Sequence, residues 1–314
     1  MKRILAALIL LCAMLNIAYA WDAIGHRVVA QIAEDNLNSC SRAEVQALFA
    51  ALPAQYPQHL NLVTAADWLD NDNSTCPYDS THCLPPPKSW HFIQRPYSIG
   101  SAAPSSANPI AAPNIVWAIQ QELAYLNNPK ATQAQQAIAL LILDHLLGDV
   151  SQPLHNENGY DRTFPLPAGD HGGNAYAIHA DILCYSRHGH PYPQEINNLH
   201  RYWDEGAGLF TCQSARHGWA GPVDRFAQQQ EAAYQDNPAL RRLIQTELTE
   251  TDPSAWSLQA YHYVPEVYGV AYQGEPSHAY QTWAESLVRQ QLALSGYRLA
   301  QVLNQAFIQN GRCH

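Results

Sequence analysis

One apolar stretch constrains the fold of this chain more than any other. Residues 136–155 begin as a strongly hydrophobic run, which is typical of a helix buried in a core. His145 and Asp149 interrupt the run four residues apart, so on a helix they share one face. Pro153 predicts the end of that helix. Because a buried His and a buried Asp are costly unless they are paired or bind metal, the stretch predicts either a hydrogen-bonded pair or a metal site.

The same spacing occurs a second time along the chain. His200 and Asp204 are again four residues apart, in a predicted helix over 194–205. His155 directly follows the first helix, and the turn at 170–174 is rich in glycine, which lets the backbone approach a ligand closely. Imidazole and carboxylate groups without thiolates are the ligands expected of catalytic zinc. Two copies of the spacing, together with His155, favour the metal site.

The charge balance excludes a basic nucleic-acid-binding face. The chain of 314 residues has a net charge of −10, and lysine occurs only as Lys2, Lys88 and Lys130. Proteins that bind phosphates through their surface need clustered basic residues. An anionic substrate of this chain would therefore be attracted by bound metal.

The N-terminus has the features of a secretory signal. Two basic residues precede an apolar run over 4–17, and Ala18-Tyr19-Ala20 is a small-x-small cleavage site. The run is short for a membrane span, so we predict cleavage after Ala20, no membrane insertion, and a secreted or periplasmic protein. Cleavage makes Trp21 the new N-terminus, whose α-amine and carbonyl oxygen could together chelate a metal.

Six cysteines remain once Cys12 leaves with the signal peptide. An even number of cysteines in a secreted chain predicts disulfides. Cys76–Cys83 is favoured because it closes a short loop, and Cys184–Cys212 and Cys40–Cys313 are the hypotheses for the rest. Metal ligation by cysteine is disfavoured because the chain has no Cys-x-x-Cys motif.

The remaining pattern predicts one mainly α-helical domain. No repeat, low-complexity segment or break in composition divides residues 21–314. A Pro-rich segment over 71–113 is predicted to be a loop, and alternation over 175–183 predicts a short strand or hairpin. In the first half of the chain, helices are predicted over 22–37, from a capping box at Ser41–Glu44 to Pro53, and over 59–70. Further helices are predicted from Asn114 onward and over 131–152. After Pro222 one helix follows another, and the last covers 277–310.

Taken in order, these features resemble a known family. The mature chain is similar over its whole length to the zinc-dependent single-strand nucleases and 3′-nucleotidases, the class I nucleases. The residues that carry the resemblance are Trp21, His26, Trp68-x-Asp70, His91, Gly148-Asp149, Gln152–His155, Gly172–Asn174 and Asn198–His200 with Trp203-Asp204. The resemblance implies the all-α fold of the zinc phospholipase C and single-strand nuclease type, a single mainly helical domain, here with long loops and one short β-hairpin.

The resemblance also implies three zinc ions. One is expected at Asp70, His91, His145 and Asp149, a second at the nitrogen and oxygen of Trp21 with His26 and Asp149, and a third at His155, His200 and Asp204. Asp149 would then bridge two ions, and Asp70 and Asp149 are the expected catalytic carboxylates. Asp67 stays open as an alternative to Asp70, because it lies one turn earlier on the same predicted helix.

The implied activity is hydrolysis of single-stranded DNA and RNA, and of 3′-nucleotides, to 5′-phosphorylated products through a hydroxide that bridges two metals. Phe92 matches the aromatic residue that stacks a base. Asn174, which follows Gly172 in the glycine turn, matches the residue that binds the base edge. Gln94 stands where the family often has Asp. No obligate protein partner is evident.

Two other functions fit parts of the pattern. A secreted zinc phospholipase C shares the fold, the Trp terminus and the three-metal site, but uses Glu where this chain has Asp204. A non-catalytic zinc-binding protein would use the same ligands without an open coordination position. The Gly-Gly-Asn turn and the residues around His200 favour the nuclease.

Overall fold

The computed structural model describes residues 21–71, 88–100, 110, 112–185, 190–210, 212–213 and 220–313. Helices dominate these ranges, which confirms the predicted all-α class. The helices are α1 (Ala23–Asp35), α2 (Ser39–Ala50), α3 (Leu62–Ala65), α4 (Trp68–Asn71), α5 (Ile115–Leu126), α6 (Gln133–Asp149), α7 (Leu199–Asp204), α8 (Ala220–Asp236), α9 (Pro238–Glu247), α10 (Pro253–Tyr261), α11 (Val264–Val267) and α12 (His278–Gln309). The strands are β1 (Arg95–Ser98), β2 (Glu157–Tyr160), β3 (Ala177–Tyr185), β4 (Pro191–Asn198) and β5 (Cys212–Gln213).

Helix α6 runs through the middle of the core. It begins at a capping box in which the Thr132 and Gln135 side chains bond each other's backbone N–H groups. Every residue from Ala139 to Asp149 is buried, because α6 is apolar on nearly all faces and packs against α1, α2, α5 and α12. The two polar groups predicted to interrupt this helix therefore lie inside the protein.

The predicted hairpin is present and longer than expected. Strands β3 and β4 pair antiparallel, β5 lies parallel to β3, and β1 and β2 form a separate parallel pair. The prediction of helix from residue 194 was wrong, because residues 194–198 belong to β4. Helix α7 begins only after Asn198, whose side chain accepts a hydrogen bond from the Arg201 N–H and so caps it.

Two other predicted helix boundaries were wrong. The N-cap of α2 is Asn38, which bonds the Ser41 N–H, so the predicted capping box lies inside the helix. The helix predicted over 59–70 is two short helices, α3 and α4. His59 has a left-handed φ of 65°, which excludes it from a helix.

A disulfide between Cys40 and Cys313 joins the start of α2 to the C-terminal end of the chain. Cys184 is also disulfide-bonded, and the backbone register places it opposite Cys212. Cys76, Cys83 and the predicted signal peptide lie outside the described residues. In the ranges that the structure covers, every helix is too short or too polar to span a bilayer.

Glu122, on α5, gives the fold a testable pH dependence. Its side chain is 6% exposed, and burial raises its pKa from 4.5 to about 7. The folded protein therefore favours the protonated acid, and stability falls as the pH rises from about 4.5 through about 7. We expect Glu122→Gln to raise the free energy of unfolding by up to about 3 kcal/mol above pH 7 and by little near pH 4.

Urea unfolding of the variant and the wild type at both pH values measures this difference. Glu275→Gln, at an exposed glutamate, is the matched control and should show no pH-dependent gain. An equal gain for Glu122→Gln at both pH values would contradict the prediction.

Candidate metal centre

Three groups of histidine and carboxylate side chains meet near the C-terminal end of α6. Within each group the possible ligand atoms lie within 4.8 Å of one another. The groups are His26, His145 and Asp149; Asp70, His91 and His145; and His155, His200 and Asp204. The structure thus brings together all eight side chains that were predicted to bind metal, and the third group is the trio expected for the third ion.

Asp149 faces histidines on two sides. Its Oδ2 lies 3.0 Å from His91 Nδ1 and 3.3 Å from His145 Nε2. Its Oδ1 lies 3.3 Å from His26 Nε2. A carboxylate whose two oxygens face different imidazoles has the geometry needed to bridge two metal ions.

The break between α3 and α4 separates the surroundings of Asp67 from those of Asp70. Asp70 Oδ1 lies 3.4 Å from His145 Nε2, and Asp70 belongs to the second group. Asp67 instead accepts two hydrogen bonds from Arg27, at 3.0 and 3.1 Å. The sequence could not separate the two aspartates because it predicts one continuous helix, which would place them on the same face.

In the third group, Gln152 orients a carboxylate. Its Nε2 donates a hydrogen bond of 2.9 Å to Asp204 Oδ1, while Asp204 Oδ2 lies 3.4 Å from His200 Nε2. Gln152 Oε1 accepts the Leu154 N–H, which fixes the amide in this orientation. Gln152 was singled out in a motif, but its contact with Asp204 crosses too much sequence to be inferred from spacing.

Backbone carbonyls set the orientation of three histidines. His145 Nδ1 lies 2.7 Å from the Ala66 oxygen, and His155 Nδ1 lies 2.7 Å from the His91 oxygen. His200 Nδ1 makes the same kind of contact, 2.5 Å from the Gly172 oxygen. A carbonyl can only accept, so each ring carries its proton on Nδ1 and keeps Nε2 for a metal.

Burial and neighbouring charges shift the pKa values of the site's histidines and aspartates in different directions. Burial lowers the pKa values of His26 and His155, which favours their neutral, ligating forms. Burial, the largest single effect, opposes the charged forms of His145 and Asp149. The attraction and hydrogen bonds of several neighbours together, including Asp70 and His26, outweigh it, so the pKa of His145 is raised and that of Asp149 lowered. Burial raises the pKa of Asp204 well above its ordinary value, which Gln152 only partly opposes.

Trp21 is completely buried, beside the C-terminal end of α6. Its indole Nε1 donates to the Gly148 oxygen and to Ser151 Oγ, both at 3.1 Å. The next residue, Asp22, donates its backbone N–H to the Asp204 oxygen at 2.9 Å. The side chain of residue 21 is thus held at the end of α6, and the backbone that follows it is held at the end of α7.

The four residues predicted to bind substrate are placed as follows. Phe92 is half-buried, next to His91 along the chain, and Gln94 is exposed. Gly172 is buried, and Asn174 is half-buried with its Nδ2 donating to the His171 oxygen at 2.8 Å. The Asn174 amide nitrogen is therefore used within its own turn, which leaves Oδ1 as the acceptor it can present to a ligand.

The buried polar atoms of the site fit bound metal. His26 Nε2, His155 Nε2 and both Asp149 oxygens are buried and have no hydrogen-bond partner among the described residues. Buried polar atoms without partners are rare in proteins, and ligation of a cation would satisfy all four. The donor set of imidazole nitrogens and carboxylate oxygens is one that zinc accepts.

Comparison with known proteins finds one family and one relative to which the chain is similar. The model of the S1/P1 nuclease family matches residues 21–308. Nuclease S1 of Aspergillus oryzae is 27% identical over 226 residues, which cover 69% of this chain. That match spans 66% of the relative, slightly less than two thirds of its length.

Proposed function

The chain belongs to the S1/P1 nuclease family, and from that premise we propose that it is a secreted, zinc-dependent hydrolase of single-stranded DNA and RNA. Its products would carry 5′-phosphates, and 3′-nucleotides would be further substrates. The observation that supports this proposal most is the Asp149 carboxylate, whose oxygens face His26 on one side and His91 and His145 on the other.

The residues of the centre would hold three zinc ions. The first ion would take Asp70, His91, His145 and Asp149, the second Trp21, His26 and Asp149, and the third His155, His200 and Asp204. Bound zinc would supply two effects, a water with a pKa near neutrality and compensation of charge on the phosphoryl and leaving oxygens.

The protein's own residues would hold the ions at fixed positions, and most of these residues are buried. Asp149 lies at the junction of the first two groups and is completely buried, so it would keep two ions at a fixed separation. Asp70 is the more exposed carboxylate and would face the substrate side. Backbone carbonyls hold three of the histidines, so the ligand set is ordered before substrate arrives.

Preference for single strands would follow from base stacking. Phe92 is only half-buried, so its ring is open to a base that has left a duplex. Asn174 Oδ1 would accept a hydrogen bond from the base edge, and Gly172 would permit the left-handed turn that carries Asn174. Gln94 would bind with less discrimination than a carboxylate, because an amide both donates and accepts.

The proposal includes maturation and export. Cleavage after Ala20 would free the Trp21 amine, and residues 21–314 would form one domain outside the cytoplasm. The Cys40–Cys313 disulfide is compatible with an oxidising compartment.

Elemental analysis of the mature protein, paired with digestion of single-stranded DNA and RNA before and after chelation, tests the function. We expect about three zinc ions per chain, 5′-phosphorylated products, and activity that is lost on chelation and regained with zinc. Duplex DNA of the same sequence is the matched substrate control and should be cut much more slowly. Hydrolysis of phosphatidylcholine without release from nucleic acid would contradict the proposal, as would zinc binding without turnover.

A further inference from the structure

The turn that carries Asn174 has an unusual backbone. Gly169, His171, Gly172 and Gly173 have φ values of 67°, 58°, 65° and 78°, all in the left-handed region. Glycine tolerates this conformation, but His171 does not do so freely. A Cβ on Gly172 would also lie 2.6 Å from the Leu154 oxygen. The turn at 169–174 therefore needs contacts from its surroundings to keep this conformation.

Asp170 supplies that support from inside the turn. Its Oδ1 accepts the Gly159 N–H at 2.8 Å, which joins the turn to β2. Its backbone oxygen accepts the Ala175 N–H at 2.9 Å. Asp170 thus anchors the start of the turn on β2 through its carboxylate and closes the turn after Asn174 through its backbone oxygen.

Tyr268 fixes the Asp170 carboxylate from behind. Its hydroxyl forms hydrogen bonds with Asp170 Oδ2 and, at 2.9 Å, with Glu157 Oε1. Its ring is 8% exposed and packs against Tyr97 and Tyr176, with centroids 5.2 and 5.1 Å away. The ring is therefore held independently of the hydroxyl, and the hydroxyl is held where it can restrain Asp170.

The other part of the turn is held by a different partner. The Gly172 oxygen lies against His200 Nδ1, and the Gly173 oxygen accepts the His200 N–H at 3.3 Å. Loss of the Tyr268 hydroxyl would thus loosen the Asp170 side of the turn and leave its contacts with the metal centre in place.

We propose that Tyr268 is a positioning residue for nucleobase recognition, which acts through Asp170 to hold Asn174 in place. This inference rests on the proposed function. It assigns a part in nucleobase binding to the Tyr268 hydroxyl at the end of α11, which acts through Asp170.

The test compares Tyr268→Phe with the wild type on two substrates. One is a single-stranded oligonucleotide, and the other is bis(p-nitrophenyl) phosphate, which has no nucleobase. We expect kcat/KM for the oligonucleotide to fall about tenfold, mainly through KM, because one base contact is weakened. Turnover of the nitrophenyl ester should stay within about twofold, since the metal ligands are not disturbed.

Tyr261→Phe is the matched control. The Tyr261 hydroxyl donates to the Pro96 oxygen at 2.8 Å, so the control deletes the same group from another buried tyrosine. Both variants should lose thermal stability, but only Tyr268→Phe should change the ratio of the kcat/KM values for the oligonucleotide and the nitrophenyl ester. A double-mutant cycle adds a second readout. In a protein that already carries Asn174→Ala, Tyr268→Phe should lower kcat/KM for the oligonucleotide little further.

Equal losses on both substrates, or additive effects in the cycle, would overturn the inference. If Tyr268→Phe does not fold, Asp170→Asn enters the same cycle with the same expectations. Wild-type protein that does not cleave the oligonucleotide would contradict the proposed function instead, so the two failures are distinguishable.

Discussion

Asp149→Asn is expected to remove two of the three metal ions together and nearly all turnover. Its two oxygens face His26 on one side and His91 and His145 on the other, so both ions of the proposed pair depend on one carboxylate. An amide is neutral and offers a single good acceptor, and it cannot bridge two cations. We expect elemental analysis to fall from about three zinc ions to about one, and kcat to fall roughly a thousandfold or more.

The matched control for this variant is Asp144→Asn. Asp144 is also completely buried on α6, and neither of its oxygens has a hydrogen-bond partner among the described residues. Asp144 belongs to none of the three ligand groups, so its variant should retain the metals and the activity. Three zinc ions in purified Asp149→Asn would refute the bridging role.

One extra residue before Trp21 is expected to have the next largest effect. The indole is held by the Gly148 oxygen and Ser151, and Asp22 is bonded to Asp204, so residue 21 cannot shift along the chain. An added serine would convert the amine into an amide, which is a poor metal ligand. We expect loss of the second zinc and a decrease in activity of about a hundredfold or more.

The control for the extension uses the same polypeptide. A protease site that ends directly before Trp21 allows activity and zinc content to be measured before and after cleavage. Cleavage should restore both together, and zinc content measured beside activity shows whether the lost activity follows the lost metal. An extended protein with full activity would count against the N-terminal chelate.

Local signals in the sequence accounted for much of the fold. The helix predicted from Asn114 onward is α5, and the Asn114 side chain caps it by accepting the Trp117 N–H. The apolar run of α6 correctly predicted a buried helix with His145 and Asp149 on one face. These features depend on residues within about one turn of each other, which spacing and capping chemistry describe well.

Contacts between distant segments could not be read in the same way. Asp70 was preferred to Asp67 only through the Trp-x-Asp match. In the structure Asp67 bonds Arg27, whereas Asp70 faces His145. The link from Tyr268 to Asp170 spans 98 residues, and nothing in either local sequence indicates it. The start of α7 is different, because Asn198 is a recognisable N-cap that could have placed it correctly.

The carbonyl contacts of the histidines have an evolutionary consequence. A main-chain oxygen is supplied by any amino acid, so residue 66 can drift while the restraint on His145 persists. Gly172 is less free, because its left-handed φ and the nearby Leu154 oxygen penalise any side chain. A metal centre oriented largely by backbone can therefore outlast extensive divergence. We expect relatives as distant as 27% identity to retain its geometry after most of their surrounding side chains have been exchanged.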